Sequence, residues 1–81
     1  MTNSVEYEVI RAIARQKRLD PDQIHCTSIL EKLGITSLDA ITIVYDVEEI
    51  FDVEIDNDKL GELVSVQDII DGVTQLIEAK G

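Results

Sequence analysis

The sequence predicts an all-α protein, a small four-helix bundle with three principal helices, a short third helix and a long first loop. Apolar residues recur at helical spacing in three segments, and polar residues suited to capping precede them. No segment combines strand alternation with hairpin turns. Because 44% of the 81 residues are hydrophobic and only 4% are aromatic, we expect residues 1–81 to form one domain with an aliphatic core.

The charge distribution narrows the possible functions. The chain has 17 acidic and 7 basic residues, a net charge of −10, and residues 37–62 alone hold nine acids and one base. Such acidity disfavours binding to nucleic acids and to anionic membranes, because both attract Lys and Arg. It suits either general solubility or a basic partner.

Hydropathy and cysteine content predict a cytoplasmic protein without a membrane span, and we also expect it to be a monomer. No apolar run approaches ~18 residues, and the N-terminal residues MTNSVEYEV lack the basic and apolar blocks of a signal peptide. Cys26 is the only cysteine in the sequence. It therefore cannot form an internal disulfide and is typical of a reducing compartment.

The first helix is predicted at about residues 4–17. Its apolar face would comprise Val5, Val9, Ala12 and Ile13, with Ile10 and Ala14 beside them. Asn3 and Glu6 can cap its start, and cations crowd its end, where the helix dipole favours them. Because the whole chain is acidic, we interpret these cations as complementing the dipole rather than binding nucleic acid.

A long connection is predicted at about residues 18–36. Pro21 marks a short turn, and Ser28 with Glu31 fits a capping box for a second short turn that Gly34 would end. The residues expected to anchor this loop to the core are Ile24, Ile29, Leu30 and Leu33.

The second helix is the most informative element. Thr36 and Asp39 fit a capping box, which places Ser37 in the first turn of a helix that extends to about Phe51. Its expected core face consists of Ala40, Ile43, Val44, Val47, Ile50 and Phe51.

A second apolar stripe follows another flank of this helix, at spacings of three and four residues. Its members are Leu38, Ile41 and Tyr45, and the neighbouring acids are Asp39, Glu48, Glu49 and Asp52. The stripe is either a binding surface or a face that the long loop covers, and the pattern fits both interpretations equally.

Two further helices complete the prediction. Asp56 can cap a short third helix at about residues 57–62, and Ser65 with Asp68 forms a capping box for a last helix that ends near residue 79. The apolar face of that last helix would comprise Val66, Ile69, Ile70, Val73, Leu76 and Ile77.

The sequence contains no set of residues that would make an enzyme. His25 and Cys26 are chain neighbours, which rarely face each other. The alternating acids from Asp52 onward fail the calcium-loop pattern, since Asn57 stands where that loop needs Gly, and no metal site is expected. Ser37 differs through its position. A hydroxyl in the first turn of a helix is exposed, and the free N–H groups there favour an attached phosphate, which indicates a site that another enzyme modifies.

Three segments resemble the acyl carrier proteins. They are residues 33–39 (LGITSLD), 46–55 (DVEEIFDVEI) and 65–70 (SVQDII), similar to that family's LG-x-DSL motif, the end of its acidic second helix and the opening of its last helix. The resemblance covers nearly the whole chain. It implies a single acyl-carrier-like domain that holds acyl groups as thioesters on a 4′-phosphopantetheine arm, for enzymes of fatty-acid, lipid or polyketide synthesis.

The resemblance also implies roles for individual residues. Ser37 matches the serine to which a phosphopantetheinyl transferase attaches 4′-phosphopantetheine from coenzyme A. The implied partners are this transferase and acyl-loading, condensing or acyltransferase enzymes with basic docking patches. The residues implied to meet partners are Leu38, Asp39, Ile41, Tyr45, Glu48, Glu49 and Asp52, with Ile55 and Asp56 at the entrance to the third helix, near the cleft for the acyl chain.

Two positions depart from the family pattern. Thr36 replaces a usual Asp and Thr42 replaces a common Glu, which predicts a specialised member with its own partners. Two alternatives stay open: an aminoacyl or peptidyl carrier for a dedicated ligase, and an unmodified helical module that binds a partner helix through the apolar stripe. The acidity of the second helix favours the acyl class.

Overall fold

Four α-helices and two 3₁₀ turns make up the protein in a computed structural model that describes residues 4–80. The helices are α1 (Ser4–Lys17), α2 (Ser37–Phe51), α3 (Asn57–Leu60) and α4 (Val66–Lys80), and the turns are Pro21–Gln23 and Glu31–Leu33. The predicted all-α bundle with a short third helix and a long first loop is confirmed. The predicted cap at Asn3 lies outside the described residues.

The core is aliphatic and lies where α1 packs against both α2 and α4. Its most deeply buried residues are Val9, Ala12, Ile13, Ile43, Val44, Val47, Val66, Ile69 and Val73. Burying one such Val or Ile side chain contributes about 1.5–3 kcal/mol. The predicted apolar faces of α1 and α4 are confirmed, with Val5, Ile10, Leu76 and Ile77 only partly buried.

One residue predicted for the core face of α2 is exposed instead of buried. Ile50 is 46% exposed and borders a surface cleft together with Arg15. Helical spacing identifies a face, but burial also requires a neighbouring element along the whole length of that face. In the last turn of α2 this cover is incomplete.

The long first loop packs onto the core as predicted. Of the predicted anchors, Ile24 and Leu30 are buried, Leu33 packs partly buried against the core and Ile29 is half-buried. Ile35 is buried as well, although no sequence pattern predicted it. Gly34 ends the second 3₁₀ turn with φ 81°, a left-handed conformation that glycine adopts without steric cost. The loop therefore enters α2 from a fixed direction.

The predicted capping box at Ser28 is wrong. The Ser28 hydroxyl accepts a hydrogen bond from the backbone amide of His25 at 2.9 Å, and the following 3₁₀ turn begins with Leu30 at its N-cap. An antiparallel bridge between Ile29 and Ser65 fixes this segment instead. Pairing with a distant part of the chain thus overrides a locally plausible cap.

The last two helices differ in their N-terminal caps. Helix α3 ends at Leu60, two residues earlier than predicted, and within residues 4–80 the side chain of Asp56 makes no cap hydrogen bond. The capping box of α4 is confirmed. The Ser65 hydroxyl accepts from the Asp68 amide at 3.4 Å, and the Asp68 carboxylate accepts from the Ser65 amide at 3.1 Å. Among the helices of residues 4–80, none is long and apolar enough to cross a membrane.

Candidate functional site

The start of α2 presents Ser37. The Thr36 hydroxyl accepts a hydrogen bond from the Asp39 amide at 3.2 Å, and the Asp39 carboxylate accepts from the Thr36 amide at 3.1 Å. Both bonds of the predicted capping box are therefore present. They make Ser37 the first residue of the helix, where its side chain is exposed.

The Asp39 carboxylate also ties α2 to the end of α1. Lys17 Nζ lies 2.9 Å from Asp39 Oδ2, and Gln16 Nε2 lies 3.3 Å from Asp39 Oδ1. The Lys17 ammonium, together with the Thr36 amide, holds the pKa of Asp39 well below its usual range. Asp39 therefore joins two helices beside Ser37.

The apolar stripe of α2 is open to solvent. Leu38 is 77% exposed, Ile41 48% and Tyr45 59%. The interpretation that the long loop covers this stripe is therefore wrong. Exposed apolar side chains in a row on one helix favour contact with another molecule.

The acids around this stripe differ in their exposure. The Glu48 carboxylate accepts a hydrogen bond from the backbone amide of Ile55, whereas Glu49 and Asp52 are exposed. Together with Tyr45, these three acids border one shallow cleft of about 390 Å³. The structure thus places apolar and acidic candidate residues on one surface.

A larger cleft of about 540 Å³ adjoins Ser37. Its walls come from the long loop, the start of α2 and the segment around the end of α3. The lining residues from these three parts include Ile29, Ile35, Ala40, Leu60, Gly61 and Leu63. Ile55 and Asp56 border a different cleft of about 410 Å³. No local pattern predicts that Leu60, Gly61, Leu63 and Val64 border this cleft, and the long-range Ile29–Ser65 bridge joins this part of the chain to the long loop.

The described residues form neither a metal-binding group nor an activated thiol. Within residues 4–80, no group of three or more His, Cys, Asp or Glu side chains is arranged to hold a metal ion. Cys26 is a free thiol whose pKa is raised, first by a hydrogen bond with Glu6 and then by burial. A raised pKa reduces the thiolate fraction at neutral pH and with it the reactivity of the thiol.

The residues beside the cleft fit an attached phosphate ester. Ser37 supplies an exposed hydroxyl at a helix start, where free N–H groups and the helix dipole favour negative charge. The cleft next to it offers mainly apolar walls. The arrangement therefore places an exposed hydroxyl at a helix start beside a mainly apolar cleft.

The fold and the site together define a carrier domain. The protein-family model described as a phosphopantetheine attachment site matches residues 8–73. The acyl carrier protein of Campylobacter concisus (strain 13826) is 36% identical over 72 residues, which cover 86% of this chain and 94% of that protein. The acyl carrier protein of Campylobacter lari is 34% identical over 70 residues, covering 85% and 91%.

A solved structure shows the same fold. The crystal structure of an acyl carrier protein from Thermotoga maritima matches with a TM-score of 0.82 at 22% identity, covering 91% of this chain and 87% of that one. The chain belongs to the acyl carrier protein family, whose prosthetic group is 4′-phosphopantetheine. It is an acyl carrier and not an enzyme, as the sequence resemblance implied.

Proposed function

We propose that Ser37 is the attachment serine of this carrier. The observation that carries the proposal is the position of Ser37, exposed at the first residue of α2 and bordering the 540 Å³ cleft. The family match across residues 8–73 includes this position. The chain would act as a single, monomeric carrier domain in the cytoplasm, a compartment that suits the free thiol of Cys26.

Attachment needs only a hydroxyl from this chain. The Ser37 oxygen would form a phosphodiester with the phosphopantetheine part of coenzyme A, adenosine 3′,5′-bisphosphate would leave, and the transferase would take up the hydroxyl proton. When attached, the arm supplies a terminal thiol that carries the acyl group as a thioester. The Thr36–Asp39 capping box keeps Ser37 at the helix start throughout.

The partner surface would be the exposed face of α2. Long-range attraction between its acids and a basic patch speeds encounter, and the apolar stripe of Leu38, Ile41 and Tyr45 supplies short-range contact. Partners with this chemistry include the phosphopantetheinyl transferase and acyl-loading, condensing or acyltransferase enzymes of fatty-acid, lipid or polyketide synthesis. Asp39 and Glu48 would contribute less to docking, because their carboxylates are engaged within the chain.

Intact mass spectrometry tests the attachment site. The chain is produced together with a phosphopantetheinyl transferase and coenzyme A, in three forms: parent, Ser37→Ala and Thr27→Ala. Thr27 is a matched control, since it is another exposed hydroxyl outside the cleft. We expect the parent and the control to gain one phosphopantetheine mass and Ser37→Ala to gain none.

Two results would contradict the proposal. A mass gain in Ser37→Ala would place the arm on another residue. A parent that stays unmodified with several transferases would favour the alternative of an unmodified interaction module that uses the exposed stripe.

A further inference from the structure

We infer that Gly61 sets the width of the cleft beside Ser37 and thereby the size of the apolar acyl chain that this carrier can shelter. The inference rests on the proposed attachment at Ser37. It concerns a residue after α3 that lies far from Ser37 in sequence and borders the same cleft.

Two glycines, Gly34 and Gly61, border this cleft. Only one of them has a backbone conformation that requires glycine. Gly34 has φ 81°, which side chains with a Cβ rarely adopt. Gly61 has φ −73° and ψ −11°, an ordinary helical conformation. Within the described part of the chain, a Cβ added at Gly61 would meet no atom within 4 Å. The fold therefore does not require glycine at position 61.

The consequence of a glycine there is open space in the cleft wall. The flanking residues Leu60 and Leu63 are partly buried and pack against the core, so they form an apolar wall that the core holds in place. Ile29 and Ile35 line the same cleft and provide further apolar surface. A larger side chain between Leu60 and Leu63 would take up space at this wall.

The chemistry of the walls indicates the class of group that fits. Apolar walls favour hydrocarbon, because transfer of each methylene from water to an apolar environment is favourable. The volume of about 540 Å³ lies in the range of small-molecule sites, about 300–1,000 Å³. With glycine at position 61, the cleft has room for medium and long apolar acyl chains.

The experiment measures how much each acyl group stabilises the protein. The transferase loads the apo protein with phosphopantetheine alone or with butanoyl, octanoyl or dodecanoyl groups from the corresponding coenzyme A derivatives, and intact mass verifies each product. The variants are Gly61→Leu and Gly61→Ala. The matched control is Gly72→Leu, because Gly72 is equally open to an added Cβ but borders the second cleft.

We expect octanoyl and dodecanoyl groups to raise the Tm of the parent and of Gly72→Leu by roughly 4 °C or more relative to the unacylated arm. In Gly61→Leu this increment should fall to less than half, while the small butanoyl increment stays. Gly61→Ala should lie between parent and Gly61→Leu.

Three results would overturn the inference. The first is a Gly61→Leu protein with the full increment of the parent. The second is an equal loss in Gly72→Leu, which would show that the effect is not local to this cleft. If Gly61→Leu does not fold, the third contradicting result is a Gly61→Ala protein whose Tm increment equals that of the parent. A parent that gains no mass at Ser37 would instead refute the proposed attachment, so the two failures are distinguishable.

Discussion

The carboxylate of Glu48 accepts a hydrogen bond from the backbone amide of Ile55, and this bond fixes the segment that leads from α2 to α3. Ile55 itself is buried. The adjacent Glu49 is exposed and borders the surface cleft next to Tyr45. Two acids that look equivalent in the sequence therefore have different tasks, one within the fold and one at its surface.

Charge reversal at Glu48 should affect stability, whereas charge reversal at Glu49 should affect partner binding. We expect Glu48→Lys to lower the free energy of unfolding by about 1–3 kcal/mol, because the Ile55 amide loses its acceptor. Glu49→Lys should change it by less than about 0.5 kcal/mol, yet weaken association with the transferase, most strongly at low salt. Urea denaturation and the salt dependence of KM measure the two effects. An unchanged low-salt KM in Glu49→Lys would show that this acid serves solubility only.

The apolar stripe can be tested with a matched pair of tyrosines. Tyr45 and Tyr7 are similarly exposed, 59% and 56%, but Tyr7 lies on α1 and contacts Arg11. We expect Tyr45→Ala to weaken association with partner enzymes by roughly tenfold or more, the size of an interface hot spot. Tyr7→Ala should leave that association unchanged. Equal effects of both substitutions would argue against α2 as the docking face.

The Asp39 network predicts a specific response to acid. Because the pKa of Asp39 is lowered in the folded protein, its stabilisation is present above the ordinary carboxyl pKa of about 3.9 and is lost as the pH falls below that value. Asp39→Asn should lower Tm near neutral pH and reduce the fall in Tm between about pH 7 and about pH 3. The exposed Asp58 provides the control Asp58→Asn. Thermal unfolding across this range would contradict the prediction if Asp39→Asn and the parent lost the same number of degrees.

We expect Thr36, the N-cap of α2, and Thr42 within α2 to affect partner choice. Thr36 caps the helix, and the Thr42 hydroxyl donates to the Leu38 carbonyl oxygen at 3.2 Å. We predict that the parent is a poor substrate for a transferase that serves housekeeping carriers. Thr36→Asp with Thr42→Glu should raise kcat/KM for that transferase roughly tenfold through added interface charge.

Thermal stability provides the control for this experiment. Asp also caps helices well, so Thr36→Asp should leave Tm nearly unchanged. If the parent is already modified as fast as a housekeeping carrier, or if the double change leaves a slow rate as it was, the specialisation does not reside at these positions.

The sequence by itself determined the helices and the location of Ser37. Caps such as Thr36 with Asp39 and Ser65 with Asp68 involve residues three apart, and the apolar faces repeat every three or four residues. Both are local patterns, so they can be identified without knowing the fold. The motif around Ser37 also identified the family, because it is contiguous in the chain.

Only the tertiary structure decided which of these residues are covered, paired or open. Ser28 does not form the expected capping box, and the adjacent Ile29 pairs with Ser65 instead. The stripe that includes Tyr45 is exposed because the loop packs elsewhere, and Gly61 reaches the Ser37 cleft only because the chain after α3 folds back. Each outcome depends on contacts between segments far apart in sequence. The free energy of such contacts comes from the packing of the whole core, which no local pattern contains.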